Sequence, residues 1–237
     1  MKNLKQIMLN SINEYNKYLE NKIKNYYNHE GYKLRVRQMH TLVECLSEHF
    51  IFDEINLIET GVSGRLDYGL FGLFFAHTIN QYGGQMHSVD LDCDSCISSE
   101  NIFKTELPNL KYKTYCQDSV NFLTTPPIIP NIIHLDSYDF QLFDPFPSAL
   151  HVWKEFNAIE RLMPTGSIII IDDNWKQGSF LQWFQNGNES RVNIEYPMIG
   201  KGVHLYQEAL SGRIEWEIIG NHYYEVYDNL KIVLKKK

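Results

Sequence analysis

Cysteine is scarce in this chain, with four residues (Cys45, Cys93, Cys96 and Cys116) among 237. That is too few to staple a protein of this size, and it fits a reducing compartment, with the cytoplasm as the default. Long apolar runs are missing as well: none approaches the roughly 18 residues that a membrane span needs. The opening MKNLKQIMLNSINEY carries lysines, but Asn, Gln and Ser interrupt its apolar residues, so it lacks the core of a signal peptide. There is no excess of positive charge. The formal net charge of −7 weighs against a dedicated nucleic-acid binder, which needs a basic face for phosphates, and Lys235, Lys236 and Lys237 read as a solvated tail. No Pro/Gly/Ser-rich linker, charge block, repeat or low-complexity tract divides the chain. One domain is expected, with neither membrane nor nucleic acid as partner; a homo-oligomer stays open.

What is present is the composition of an ordinary globular protein, 43% hydrophobic and 22% charged. Leu4, Ile7, Met8, Ile12, Tyr15, Tyr18, Leu19 and Ile23 recur near helical spacing, which predicts an amphipathic helix over 4–27. A second helix is expected over 35–49. Residues 1–50 then form an N-terminal helical arm or lid, and 51–237 the main domain. The first strand is 56–60 (NLIET), running into Gly61-Val62-Ser63-Gly64 and a helix through Phe71, Leu73, Phe74 and Ala76. Strands follow at 85–90, 111–116, 131–136 and 167–172, separated by helix-length segments, the pattern of a parallel sheet with right-handed crossovers. Ile132-Ile133 and Ile168–Ile171 read as central strands covered on both faces. After Asp173 the rhythm changes: a short helix near 178–186, strands near 191–196, 202–207 and 214–219, and a last strand at 230–234, with an antiparallel finish.

In an open parallel sheet the ligand lies beyond the carboxyl ends of the strands, where the strand order reverses, so the residues just after each strand are the candidates. Strand one ends in Glu59-Thr60-Gly61-Val62-Ser63-Gly64, where glycines admit a close ligand and an acidic side chain accepts from an ammonium. Strand two ends at Asp90, suited to the two hydroxyls of a ribose. Strand three ends in Gln117-Asp118-Ser119, polar groups placed to bond the edge of an adenine. Strands four and five end at Asp136 and at Asp172-Asp173-Asn174. One carboxylate at a strand end is more often a helix cap or loop anchor than a ligand contact. Their joint order along five strands carries the weight.

The runs IETGVSG, SVDLD, YCQDSVNFL, IIHLDSYDF and RLMPTGSIIIIDDNW, with the closing YYEVYDNLKIVLKK, resemble class I S-adenosylmethionine-dependent methyltransferases, in particular small-molecule O-methyltransferases of the catechol and macrolide-sugar types. The resemblance covers residues 55–175 and the final hairpin. It implies a doubly wound, Rossmann-like α/β fold whose seven-stranded sheet has the order 3-2-1-4-5-7-6, the last strand antiparallel. It also implies that Glu59, Gly61 and Ser63 lie along the methionine part of the cofactor, with Gly64 in the same turn. Asp90 would hold the ribose, and Gln117, Asp118 and Ser119 would surround the adenine. Ser63 stands where the family's turn has its middle glycine, and the turn lacks the Gly-x-Gly-x-x-Gly of a nicotinamide enzyme.

In that order strands four and five are neighbours about 4.8 Å apart, so Asp136, Asp172 and Asp173 project into one small volume. Such a set suits a hard cation such as Mg²⁺, and metal-dependent members of the family bind theirs at matching acidic positions; Asn174 substitutes if the register shifts by one. The alternative is that Asp172 faces the core or caps a helix while Asp136 lines the cavity. Adjacent carboxylates repel unless something positive sits between them, which favours the cation. Asp139 is the candidate base, and Asp136 the second catalytic candidate; His134 reads as a hydrogen-bonded structural residue, and His151 belongs to a helix. Cys93-x-x-Cys96, a lone pair at a helix start, carries no expected redox or zinc role. Trp175, Trp183, Phe184 and Tyr196 belong to an insertion, 175–212, on the acceptor side, where they line the pocket or simply pack. The expected activity is methyl transfer from S-adenosylmethionine to a hydroxyl of a small molecule, a sugar or a phenol. The rivals are a nicotinamide-dependent oxidoreductase of similar fold and a non-catalytic scaffold subunit.

Overall fold

Strand parity organises the molecule. In β4 (Ile132–Leu135) and β5 (Ile168–Lys176), Ile132, Ile168 and Ile170 join one hydrophobic cluster, and Ile133, Leu135, Ile169 and Ile171 join another. Successive side chains of a strand point to opposite faces, so the two clusters are the two covered faces of one sheet. The computed structural model describes residues 2–22, 30–62, 71–141, 144–185, 188–222 and 230–237. Helices α1 (Leu4–Lys22), α2 (Glu30–His49) and α3 (Phe71–Tyr82), with Phe103 of α4 (Cys93–Glu106), cover the first face. Helices α5 (Ser119–Thr124), α6 (Phe146–Ile159) and α7 (Val203–Leu210) cover the second.

The sheet is completed by β1 (Ile55–Thr60), β2 (Gly84–Asp90), β3 (Tyr112–Cys116), β9 (Trp216–His222) and β10 (Leu230–Lys236). Its order is β3-β2-β1-β4-β5-β10-β9. The first five run parallel, and β10 lies antiparallel to both β5 and β9. This is the expected seven-strand order with its antiparallel last strand, and it reverses direction between β1 and β4.

Met8, Ile12, Tyr15 and Leu19 of α1 are buried in the same cluster as Leu57, Phe74 and Ile170, so α1 packs as a layer of the core. The insertion departs from the expected elements. Residues 180–185 form β6 (Phe180–Gln185), hairpinned with β7 (Asn188–Asn193), instead of a helix. Short apolar runs do not separate helix from strand by period, and here the hairpin partner decides. Residues 203–210 form α7 instead of a strand, because Leu205 and Ala209, four apart, are the residues that bury. Between them β8 (Met198–Gly200) pairs antiparallel with residues 174–176 of β5, above the point where β4 has ended at Leu135. No helix among the described residues is long and apolar enough to cross a membrane.

A disulfide joins Cys93 at the start of α4 to Cys116 at the end of β3, with Cα atoms 5.0 Å apart, whereas Cys45 and Cys96 are free and buried. The bond runs against the expectation of reduced thiols. Its formation requires an oxidant. Denatured, unreduced protein is expected to titrate two thiols with a chromogenic disulfide reagent, and all four after reduction; four thiols before reduction would remove the bond.

Candidate functional site

The ends of β1, β2 and β4 are tied together across the point where the strand order reverses. Gly61 has φ +83°, and a Cβ there would stand 2.3 Å from the carbonyl oxygen of Asp136. The glycine is thus required by the contact of two strand ends as well as by any ligand. Asp90 accepts from the Val62 amide at 2.6 Å through Oδ2 and from the Asp92 amide at 2.8 Å through Oδ1, which fastens the turn after β1 to the turn after β2. Each oxygen keeps a lone pair, so the carboxylate retains capacity for ribose hydroxyls. Ser63 and Gly64 lie outside the described residues.

Of the three residues expected around an adenine, Gln117 is exposed, with its backbone N–H donating to the Asp90 carbonyl at 2.9 Å. Asp118 caps α5, accepting from the Asn121 amide at 2.8 Å, the bland role foreseen for a strand-end carboxylate. Ser119 is buried, its Oγ 3.0 Å from Nε2 of His151 on α6. Its hydroxyl is therefore engaged inside the protein. On the same side Glu155 of α6, wholly buried, accepts from the Ser137 hydroxyl at 2.6 Å, a brace beneath the loop after β4 that sequence reasoning missed.

Beneath these loops runs a buried row of alternating charge. Glu59 of β1, His134 of β4, Asp172 of β5 and Lys231 of β10 share the parity of Leu57, Ile132, Ile170 and Val233, so all four face α1–α3. None is more than 5% exposed. Glu59 Oε1 lies 3.4 Å from His134 Nδ1, His134 Nε2 lies 3.8 Å from Asp172 Oδ2, and Lys231 Nζ lies 2.5 Å from the same Asp172 oxygen. Ser88 donates to Glu59 at 3.1 Å, and Gly72 of α3 leaves room for its carboxylate, which a Cβ would meet at 2.8 Å. Glu59 thus points inward, its carboxylate set against His134, Ser88 and the backbone of α3 at Gly72. Burial alone would depress the His134 pKa, but the Asp172 and Glu59 carboxylates outweigh it and raise the imidazole above its ordinary value. Burial would raise Asp172, but Lys231 and His134 hold it well below the ordinary carboxylate value.

At Asp173 the row meets a kink. Residues of β10 pair Leu230 with Asn174 and Ile232 with Ile171, so Asp172 and Asp173 together oppose Lys231: a β-bulge. Asp173 has φ 54°, the only positive value at a non-glycine among the described residues. The bulge turns Asp173 away from the alternation, and its carboxylate meets Lys201 Nζ at 2.8 Å. The same ammonium donates to Asp136 Oδ1 at 2.6 Å. Asn174 is buried entirely and turned inward, accepting from the Gly202 amide at 2.7 Å, so it is a brace and no substitute ligand. Burial pushes the Asp136 pKa up to about 6, with Lys201 opposing the rise and Asp172 and Asp173 adding to it. Lys201 would be lowered by burial, but Asp136 and Asp173 keep it above the ordinary lysine value.

His134, Asp136 and Asp172 place ligand atoms within 4.8 Å of one another, the beginning of a cation site. Yet Lys231 is paired with Asp172, and Lys201 with both Asp136 and Asp173. A divalent ion among these carboxylates would stand beside two buried ammoniums whose repulsion little solvent screens. The residues present do not fit a divalent cation. The positive charge demanded by adjacent carboxylates is supplied by lysines that sequence reasoning missed. Asp139 is exposed in the loop after β4, while Trp175 is buried with its ring 4.8 Å from that of Phe140. Tyr196 is exposed, and the side chains of Trp183 and Phe184 lie outside the described ones.

Two outcomes follow from the charges. Lys231→Met leaves Asp172 buried without its ammonium and is expected to cost about 3–5 kcal/mol in urea unfolding; a loss under about 1 kcal/mol would mean that the pair is not coupled in solution. Asp136 has its folded pKa above its unfolded one, so from about pH 4 to about pH 6 the folded state holds a proton that the unfolded chain has released. Its contribution to stability therefore falls as pH rises across that window. The melting temperature of Asp136→Asn relative to wild type is expected to increase between those limits, and a constant or falling difference would contradict the assignment.

No protein-family model and no curated protein matches the chain. Among solved structures it is similar to an S-adenosylmethionine-dependent methyltransferase from Clostridium acetobutylicum, with a TM-score of 0.52 and 15% identity over 94% of this chain and 98% of that one. It is also similar to a Podospora anserina methyltransferase solved with S-adenosylhomocysteine bound, with a TM-score of 0.54 and 11% identity over 96% and 88% of the two chains. At such identities the likeness is one of architecture, and it coincides with the strand order found above: the chain has the class I S-adenosylmethionine-dependent methyltransferase fold.

Proposed function

We propose that the chain is an S-adenosylmethionine-dependent methyltransferase acting on a hydroxyl group of a small molecule, a sugar or a phenol. The observation that carries this reading is the junction of Gly61, Asp90 and Asp136 at the β1/β4 reversal, where two carboxylates keep unused acceptor capacity. Asp90 holds the ribose diol, and Gln117, an exposed residue, offers its side-chain amide to the adenine edge. Asp136, one-third exposed and bonded to Lys201 through Oδ1, offers Oδ2 to the cofactor's ammonium.

The cofactor, when bound, supplies an electrophilic methyl group on its sulfonium. The residues of the chain orient that methyl toward the acceptor oxygen for an in-line displacement. Asp139, exposed at the mouth of the site, takes the hydroxyl proton as the new O–C bond forms. No step is assigned to a divalent ion.

Calorimetric titration of S-adenosylmethionine should show binding to wild type, weakened at least about tenfold in Asp90→Ala that melts normally. No binding to wild type sinks the reading. With an acceptor in hand, Asp139→Asn should lower kcat about 10²-fold or more at unchanged cofactor affinity.

A further inference from the structure

We propose that Lys201 is the resident cation of this site: its ammonium occupies the place between Asp136 and Asp173 that a divalent metal would otherwise take, and it positions both carboxylates without one. The proposal rests on the reading of the chain as a methyltransferase, and it adds which cation the site uses.

The lysine is delivered by a built segment. Gly200-Lys201-Gly202 turns sharply from β8 into α7, and Gly200 has φ +141°. A Cβ on Gly200 would stand 2.4 Å from the Asp173 carbonyl oxygen, and one on Gly202 would stand 2.8 Å from Ile232 Cδ1 and 3.0 Å from Asn174 Oδ1. Only residues without a side chain allow the turn to press this closely on β5. The backbone is then fastened on both sides of the lysine: the Lys201 amide donates to the Asp173 carbonyl at 3.1 Å, and the Gly202 amide to Asn174 Oδ1 at 2.7 Å. Asp173 is held from its own side in a left-handed conformation that costs a non-glycine residue free energy. Both partners are thus constrained toward one contact.

The burial of the two sides differs. Lys201 is 1% exposed, whereas the side chains of Asp136 and Asp173 are 34% and 27% exposed. The ammonium is sealed behind carboxylates that face outward, and the pairing keeps it charged. A cation in this place fixes the carboxylates, but it does not coordinate an acceptor oxygen. Lys201 is accordingly a positioning residue. The acceptor needs one hydroxyl for Asp139 to deprotonate, with no second adjacent hydroxyl to complete a metal's coordination shell.

The test is a Mn²⁺ titration followed by electron paramagnetic resonance, in which the free-ion signal falls on binding. Wild type, stripped with chelator, should bind no Mn²⁺ up to about 1 mM, with or without S-adenosylmethionine. Lys201→Met keeps an unbranched side chain and takes the ammonium from between the two carboxylates, and it should bind Mn²⁺ at least about tenfold tighter than wild type. Adding Asp173→Asn should abolish that binding. Lys201→Gln is the second variant if Lys201→Met does not fold. Wild-type binding that Asp173→Asn removes would overturn the proposal, as would a folded Lys201 variant that binds no Mn²⁺. Calorimetry of the cofactor with the same wild-type sample reports separately on the methyltransferase reading, so failure of either is seen by itself.

Discussion

Four buried charges in a row, Glu59, His134, Asp172 and Lys231, lie across four neighbouring strands, and the rest of the site depends on their neutralising one another. A lone carboxylate with the burial of Asp172 would give up its charge or unfold its surroundings. The alternation of sign removes that choice. It also fixes register, because each strand contributes one residue whose partner stands on the next strand: Glu59 sits opposite His134 in the β1/β4 pairing, and Lys231 opposite the bulge in β5. A slip of one residue in any of these strands would turn a charge to the other face, among the side chains of Ile133, Leu135 and Ile171.

The bulge at Asp173 converts this internal row into an outward site. Without it, two consecutive residues of β5 would face opposite sides of the sheet, and only one carboxylate would reach the strand-end volume. With it, Asp172 remains in the row and Asp173 turns toward Asp136 and Lys201. The extra pairing of β8 along the end of β5 follows from the same geometry, since β4 stops at Leu135 and leaves that edge of β5 open to a new partner. The insertion between β5 and the final hairpin therefore serves the site directly, through Lys201, while the aromatic residues that drew attention in it divide between a packed Trp175 and an exposed Tyr196.

Much of the fold was legible in the sequence because its central strands announce themselves locally. Ile132-Ile133 and Ile168–Ile171 are unbroken apolar runs, and Asp136 and Asp172 stand at the ends of the strands expected to contain them. Parity alone would have placed Glu59, His134 and Asp172 on one face, since each lies two residues beyond a buried apolar neighbour of known side. What was not legible depends on contacts distant in sequence. Lys231 and Lys201 reach the site through the register of β10 and the pairing of β8, neither of which a local pattern encodes. Gly200-Lys201-Gly202 was the one available signal, a cation held between two glycines. The Cys93–Cys116 bond is of the same kind, joining a helix start to the end of the neighbouring strand, whereas Cys96, nearer in sequence, is free and buried.

The charges also bear on why a cationic ligand suits this place. Glu59, Asp136, Asp172 and Asp173 bring four carboxylates; Lys201 and Lys231 bring two ammoniums, and His134 adds a positive group when protonated. Burial pushes the Asp136 pKa up to about 6, with Lys201 opposing the rise. Asp136 is the most exposed of the four, at the loop where β4 meets the turn after β1. A ligand that brings a positive group to Asp136 lowers its pKa back toward the ordinary value. On the proposed reading that group is the ammonium of the cofactor. Binding of the cofactor is then linked to release of a proton from Asp136.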